Sequence, residues 1–238
     1  NTLGTIVHES LEAIYTPFLG KILSEKELKA QMEHIDTIVL KQYRDHFNST
    51  GAIKGKNLLI FEVAKRYVHN FLSFEISCVQ KGDQIKILQL EKQMVVPIAI
   101  PSLDFQVNLG GNVDRVDKCN GVLRIIDYKT GLVNQGDLEL VDWQAVTMDY
   151  KYSKAFQVLA YATMMEHTFK DSYCEAGVIS FKNLSSGFLK FGTKEAPRAR
   201  NKDQRITSET IERFKTHLKE LIIEICDLSI PFSEKELD

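Results

Sequence analysis

The sequence has no long hydrophobic run, no close pair of cysteines and almost no net charge. No apolar stretch reaches the roughly 18 residues that a transmembrane helix needs, so no membrane is expected among its partners. The four cysteines stand at 78, 119, 174 and 226, and none has the C-x-x-C spacing of a zinc knuckle or a redox dithiol. Scattered so sparsely through 238 residues, they fit a reducing cytoplasm better than a secreted disulfide framework. No signal-peptide pattern follows Asn1, and the chain reads as a fragment of a longer one. Thirty Lys and Arg against 32 Asp and Glu leave a formal charge of −2, so contact with a polyanion must come from a local basic surface. Internal repeats and low-complexity segments are missing as well, and disorder, collagen and disulfide-scaffold readings are excluded.

What is present is the composition of a soluble globular protein, 44% hydrophobic and 26% charged, in a length that suits one large domain. Leu3, Ile6, Val7, Leu11, Ile14 and Phe18 recur at helical spacing over 3–18, with Pro17 marking the end. Two more helical stretches follow near 24–47 and 51–80, the second with Leu58, Leu59, Phe61, Val63 and Ala64 as expected buried positions. After Gly82 the period changes. Ile85 to Leu90 and Met94 to Ile100 read as strands, with Pro97 and Pro101 interrupting their pairing. A hairpin is expected over 105–129, a polar loop over 131–152, a helix over 153–169, a strand over 174–183 and a closing helix over 208–227. Seven Lys or Arg fall within 182–205 against Glu195 and Asp203, a local excess of five positive charges. This order of elements describes an α/β or α+β domain around a mixed central sheet.

The hairpin carries the chemistry. Asn120-Gly121 is a strong two-residue type I′ turn signal, since both residues tolerate positive φ. With that turn, Asp117 faces Arg124, Val116 faces Ile125, and Asp114 faces Asp127. Lys129, two residues beyond Asp127, projects to the same face. Two opposed carboxylates repel each other. Set beside Ile125 and Ile126 they also need a counter-charge, a proton or a metal. A divalent cation resolves the repulsion, and Mg²⁺ favours one or two carboxylates together with substrate phosphate oxygens. Two alternatives stand beside this. A three-residue loop would put the aspartates on opposite faces, and an exposed hairpin would leave Lys129 as a simple ion-pair partner.

Four motifs in order resemble the RecB-type branch of the PD-(D/E)XK nuclease superfamily, and most closely the nuclease domain of AddB-like helicase–nucleases. Gly4 to Glu12 is similar to the G-x-x-x-H-x-x-L-E helix, and Gly111 to Asp117 to the G-x-[IV]-D-R-[IV]-D strand. Ile126 to Gly131 carries D-Y-K-T-G, and Gln157 to Tyr161 carries Q-x-x-x-Y. The resemblance implies a restriction-endonuclease-like α/β core, a mixed sheet flanked by helices with an N-terminal helical elaboration. It implies a single domain over 1–238, helical over about 1–80, with the catalytic sheet over about 83–183 and the last helix over about 208–227.

Carried over to this chain, the family pattern makes Asp114 and Asp127 metal-binding carboxylates, the backbone carbonyl of Tyr128 a third ligand and His8 a fourth. Mg²⁺ is the implied cofactor, with Mn²⁺ able to substitute. Lys129 would orient or help deprotonate the attacking water, and Gln157 and Tyr161 would brace the site. Lys194, Arg198, Arg200 and Lys202 are the candidate DNA-backbone contacts, although such a stretch is also an ordinary solvated loop. Glu91 reads as a solvent-facing strand residue or an acid standing behind the ligands. Many relatives hold a 4Fe–4S cluster on cysteines outside these motifs. None is placed to do so here, so the cluster is not supported within this fragment, although Ile230-Pro231-Phe232 is similar to the lead-in to its C-terminal cysteines. The implied activity is that of a metal-dependent exodeoxyribonuclease acting on DNA, single strands above all, fed by a helicase domain or subunit during double-strand-break repair and recombination. The alternatives are a catalytically silent DNA-binding or scaffolding domain and a stand-alone nuclease of CRISPR or phage type.

Overall fold

A computed structural model describes residues 2–48, 50–170, 172–231 and 233. Phe232, within the tail likened to a cluster lead-in, lies outside them. The chain divides into two compact units. The first comprises Asn1–Lys92, Val113–Val133 and Ile179–Phe188, the second Gln93–Asn112, Asn134–Val178 and Leu189–Asp238.

The first unit opens with α1 (Thr2–Tyr15), which buries Ile6, Val7, Leu11, Ile14 and Tyr15 along one stripe before Pro17 enters a 3₁₀ turn. Ser24 caps α2 (Glu25–Met32), its hydroxyl accepting from the N–H of Glu27 at 3.3 Å. The stretch expected as one helix over 24–47 is two. The N–H of His34 reaches the carbonyl of Gln31 at 3.0 Å, a tightened turn that no Gly or Pro announces, before α3 (Ile35–Phe47) continues to a left-handed Asn48. In α4 (Lys56–Gln80) the buried stripe is Ala64, Val68, Phe71, Leu72, Glu75 and Ile76. Leu58 and Leu59 are 44% and 64% exposed, and Phe61 and Val63 are half-buried, against expectation. Successive apolar residues from Leu58 to Phe61 point around the helix, so they cannot all turn inward.

Strand β1 is one continuous element, Ile85–Ile98, and Pro97 does not interrupt it. The five-stranded order is β1-β2-β3-β5-β6, so β1 is an edge, where a missing N–H costs no pairing. β2 (Val107–Cys119) and β3 (Val122–Lys129) form the expected hairpin across Asn120 and Gly121, both at positive φ. Arg115 pairs with Ile126, Val116 with Ile125 and Asp117 with Arg124. The three-residue-loop alternative is thereby removed. Ile126 and Tyr128 enter the core that the helices build around Phe71, Ile6 and Leu72.

In the second unit the expected loop over 131–152 holds short elements, among them β4 (Glu139–Leu140) and α5 (Ala145–Met148). They are followed by α6 (Ser153–Met164), β5 (Cys174–Ser180), β6 (Phe188–Lys190), β7 (Gly192–Thr193) and α7 (Ser208–Cys226). β4 and β7 pair in parallel. Gly177 is required where β5 passes residue 189, because a Cβ there would stand 2.1 Å from the carbonyl oxygen of Leu189. Mixed sheet and flanking helices make the fold the expected restriction-endonuclease-like α/β type. Cys78, Cys174 and Cys226 are free thiols, and among the described residues no helix is long and apolar enough to cross a membrane.

Candidate active site

The hairpin register gives the first unit's sheet two different faces. Arg115 and Asp117 on β2 share one face with Arg124, Ile126 and Tyr128 on β3. Asp114 lies on the other with Asp127 and Lys129.

On the first face a charge network gathers around a wholly buried guanidinium. The Arg115 guanidinium, with no exposed surface, donates to Asp117 Oδ2 at 2.8 Å, to Glu75 Oε1 at 2.7 Å and to the Tyr128 hydroxyl at 3.3 Å. Arg124 donates to both oxygens of Asp117, at 2.7 and 2.8 Å, which is the cross-strand pair expected from the sequence. Tyr15 donates its hydroxyl to Glu75 and stacks its ring under the guanidinium at 4.9 Å. Two positive and two negative side chains thus cancel inside the core, which makes their burial tolerable. The network also fixes the side chain of Tyr128, and with it the backbone on which the opposite face depends.

On that opposite face the backbone N–H of Tyr128 donates to Asp114 Oδ2 at 2.6 Å, and His8 Nε2 contacts the Tyr128 carbonyl oxygen at 3.2 Å. His8 Nδ1 lies 3.4 Å from Asp114 Oδ1 and 3.6 Å from Glu91 Oε1. Ligand atoms of His8, Glu91 and Asp114 all fall within 4.8 Å of one another, close enough to hold one metal ion. Burial disfavours a charged imidazole, but the hydrogen bonds and negative charges of Asp114 and Glu91 outweigh it and push the His8 pKa up to about 10. His8 must therefore give up a proton before it can ligate a metal at neutral pH.

Asp127 is 2% exposed. Its burial, with a contribution from Asp114, pushes its pKa up to about 6 against the opposing pull of Lys129. Lys129 Nζ hydrogen-bonds Asp127 Oδ1 at 2.9 Å and lies 2.6 Å from Oδ2, off the hydrogen-bonding direction. Asp127 Oδ2 is thus buried with no hydrogen-bond donor, and the Lys129 ammonium 2.6 Å away is the cation that offsets its charge. Oxygen donors joined by one imidazole suit a divalent metal ion.

A cleft of about 610 Å³ opens over this face, lined by Gly4, Thr5, His8, Glu9 and Glu12 of α1 and by Glu91, Tyr128, Lys129, Thr130 and Gly131. Ser180 donates to the Gly131 carbonyl at 2.7 Å, fixing the chain where it leaves β3.

Glu91 is the residue that sequence reasoning placed too far from the chemistry. It has φ of 42°, in the left-handed region that a glutamate seldom adopts. The strand's inward positions are odd before it, at Ile85 and Ile87, and even after it, at Met94, Val96 and Ile98. Such a one-residue slip re-aims a side chain as a β-bulge does, and nothing in the strand's composition announces it.

The remaining expected residues belong to the second unit. Gln157 Nε2 donates to the Tyr161 hydroxyl at 2.7 Å, one turn apart on α6. The Tyr161 ring packs so closely on Gly111 that a Cβ there would lie 3.0 Å from it. Lys194, Arg198, Arg200 and Lys202 sit on the loop after β7. Lys194 and Lys202 share the Glu139 carboxylate, whereas Arg198 and Arg200 are exposed and have no ion-pair partner among the described residues.

Carboxylates, an imidazole and a lysine lining one cleft are a set suited to metal-assisted hydrolysis. The family model of the PD-(D/E)XK nuclease superfamily matches residues 1–236, and the chain belongs to that superfamily. Membership implies a nuclease acting on DNA with a divalent metal. No curated protein matches the chain.

Proposed function

We propose that this chain is the exonuclease domain of a RecB/AddB-type helicase–nuclease, a cytoplasmic enzyme that digests single-stranded DNA during double-strand-break repair. The observation that supports this best is the Asp127–Lys129 pair on the face shared with Asp114, beside the His8–Glu91–Asp114 cluster. The chemistry that a divalent ion, Mg²⁺ or Mn²⁺, would supply there is acidification of a water molecule and relief of charge on the scissile phosphate.

Asp114, Asp127, His8 and the Tyr128 carbonyl are the proposed ligands, and the cluster geometry adds Glu91 to them. Lys129 has one task before the substrate arrives and another after. Paired with Asp127, it stabilises a buried carboxylate; presented to a phosphate, its ammonium orients the attacking water and balances the extra negative charge. Glu9 and Glu12 add two carboxylates to the cleft lining, which favours cations there. Gln157 and Tyr161, hydrogen-bonded to each other on α6, keep the supporting role that the family pattern gives them, and the basic loop over 194–202 is the proposed contact to the DNA backbone.

A comparison of linear and circular single-stranded DNA in Mg²⁺ tests the exonuclease reading. Linear strands should be degraded from an end while circles of the same sequence survive. Equal loss of circles would make the enzyme an endonuclease and remove the need for a helicase that feeds ends.

A further inference from the structure

The second unit contains a cavity of about 1120 Å³, beyond the roughly 300–1,000 Å³ of small-molecule pockets. Its lining includes Lys194, Arg200, Lys202 and Trp143, the one tryptophan of the chain. We propose that this groove binds unpaired DNA, with phosphates on the three cations and a base stacked on the Trp143 indole. The choice of DNA rests on the nuclease reading above; the groove itself rests on its own residues.

Charge is the first argument. Lys194 and Lys202 both contact one carboxylate, that of Glu139, and the five cations of the lining outnumber its three acids, Glu195, Asp203 and Glu209. Arg200 is exposed and has no ion-pair partner among the described residues. A guanidinium left free in a basic setting matches the fork geometry of a phosphate. The two other arginines of the lining, Arg205 and Arg213, pair with Asp203 and Glu209 in solvent-exposed contacts that compete weakly with a phosphate.

Preorganisation is the second. Thr193 and Asp203 exchange N–H···O bonds at 2.8 and 3.0 Å and close the base of the loop. The N–H of Lys194 is tied to the Leu140 carbonyl at 2.9 Å. The base of the loop is therefore fixed, and Lys194 and Lys202 are held on Glu139, before a ligand arrives, which lowers the ordering cost of binding.

The third is the indole. Trp143 is half-buried and backed by the Phe191 ring at 6.3 Å. A supported aromatic surface in a basic groove is a stacking platform for bases, and only unpaired bases offer it a face. An acidic peptide would satisfy the cations and leave the indole unused.

The test uses the intact chain in EDTA, which prevents cleavage, with a labelled twelve-nucleotide oligothymidine read by anisotropy and by Trp143 fluorescence. Binding should quench the emission, weaken with rising salt and exceed that of a duplex of equal length. Trp143→Phe should bind nearly as tightly, Trp143→Ala about tenfold or more weakly, and Arg200→Ala and Lys202→Ala several-fold more weakly. Binding without quenching overturns the proposal, as does binding indifferent to Arg200, or displacement of the oligonucleotide by polyglutamate at equal charge. So does failure to bind. Metal-dependent cleavage with an unquenched Trp143 would sink the groove and leave the nuclease; quenching without cleavage would do the reverse.

Discussion

The carboxylate of Asp114 is held at 2.6 Å by the backbone N–H of Tyr128, the residue that stands between Asp127 and Lys129. One hydrogen bond therefore ties the first acid of the site to the segment that supplies the second acid and the lysine. It also leaves Asp114 Oδ1 turned toward His8.

Because an Asn amide oxygen can still accept from Tyr128 N–H, Asp114→Asn should fold and lose only charge. Its Mn²⁺ affinity, followed by calorimetric titration, is expected to fall at least tenfold, with cleavage undetectable. Asp127→Asn should behave alike. Native affinity in either variant would remove that residue from the ligand set.

Lys129→Ala separates chemistry from metal binding. The rate should fall by about 10²–10⁴ while Mn²⁺ still binds. Cleavage at the native rate would show that Lys129 is only the ion-pair partner of Asp127.

Arg115→Ala leaves Glu75 buried with no cation, so about 3–5 kcal/mol of stability should be lost in urea unfolding. Arg115→Met, which fills more of the space, still strands Glu75 and should be rescued by a second change, Glu75→Gln. Additive losses in the double variant would mean that the two side chains are not coupled.

Burial raises the Glu139 pKa, but the hydrogen bonds from Lys194 and Lys202 overcome it and hold the carboxyl below its usual value. A depressed folded-state pKa gives stability that is present above the ordinary carboxylate range and is lost as pH falls through the lower, folded value. The loop over 194–202 should therefore loosen in acid, seen as lower protection of the Thr193 and Asp203 amides relative to their intrinsic exchange rates at that pH. Glu139→Gln should reproduce the loosening at neutral pH, with tryptic nicking after Lys194, Arg198 or Arg200 several-fold faster than in the native chain. Unaltered nicking would show that Glu139 does not clasp the loop.

Much of the site was legible because a strand repeats every two residues and Asn-Gly fixes a hairpin register. Asp114, Asp127 and Lys129 could be assigned to one face, and Asp117 to Arg124, from those two rules alone. Glu91 was not legible, since its left-handed backbone shifts the strand's alternation by one residue, a tertiary choice that composition does not encode. Pro97 misled because edge position, which excuses a missing N–H, is a property of the whole sheet. Leu58 and Leu59 misled because a continuous apolar run does not say which stripe of a helix is covered. The Arg115 network was half visible: the cross-strand pair followed from register, whereas Glu75 arrives from a helix some 40 residues earlier in the sequence.

The most direct measurement is cleavage of end-labelled single-stranded DNA by the native chain in Mg²⁺ or Mn²⁺, beside EDTA and Asp127→Asn controls. Cleavage should need the metal and vanish in the variant. Cleavage that persists in EDTA, or an Asp127→Asn chain as active as the native one, would contradict metal-dependent hydrolysis at this site.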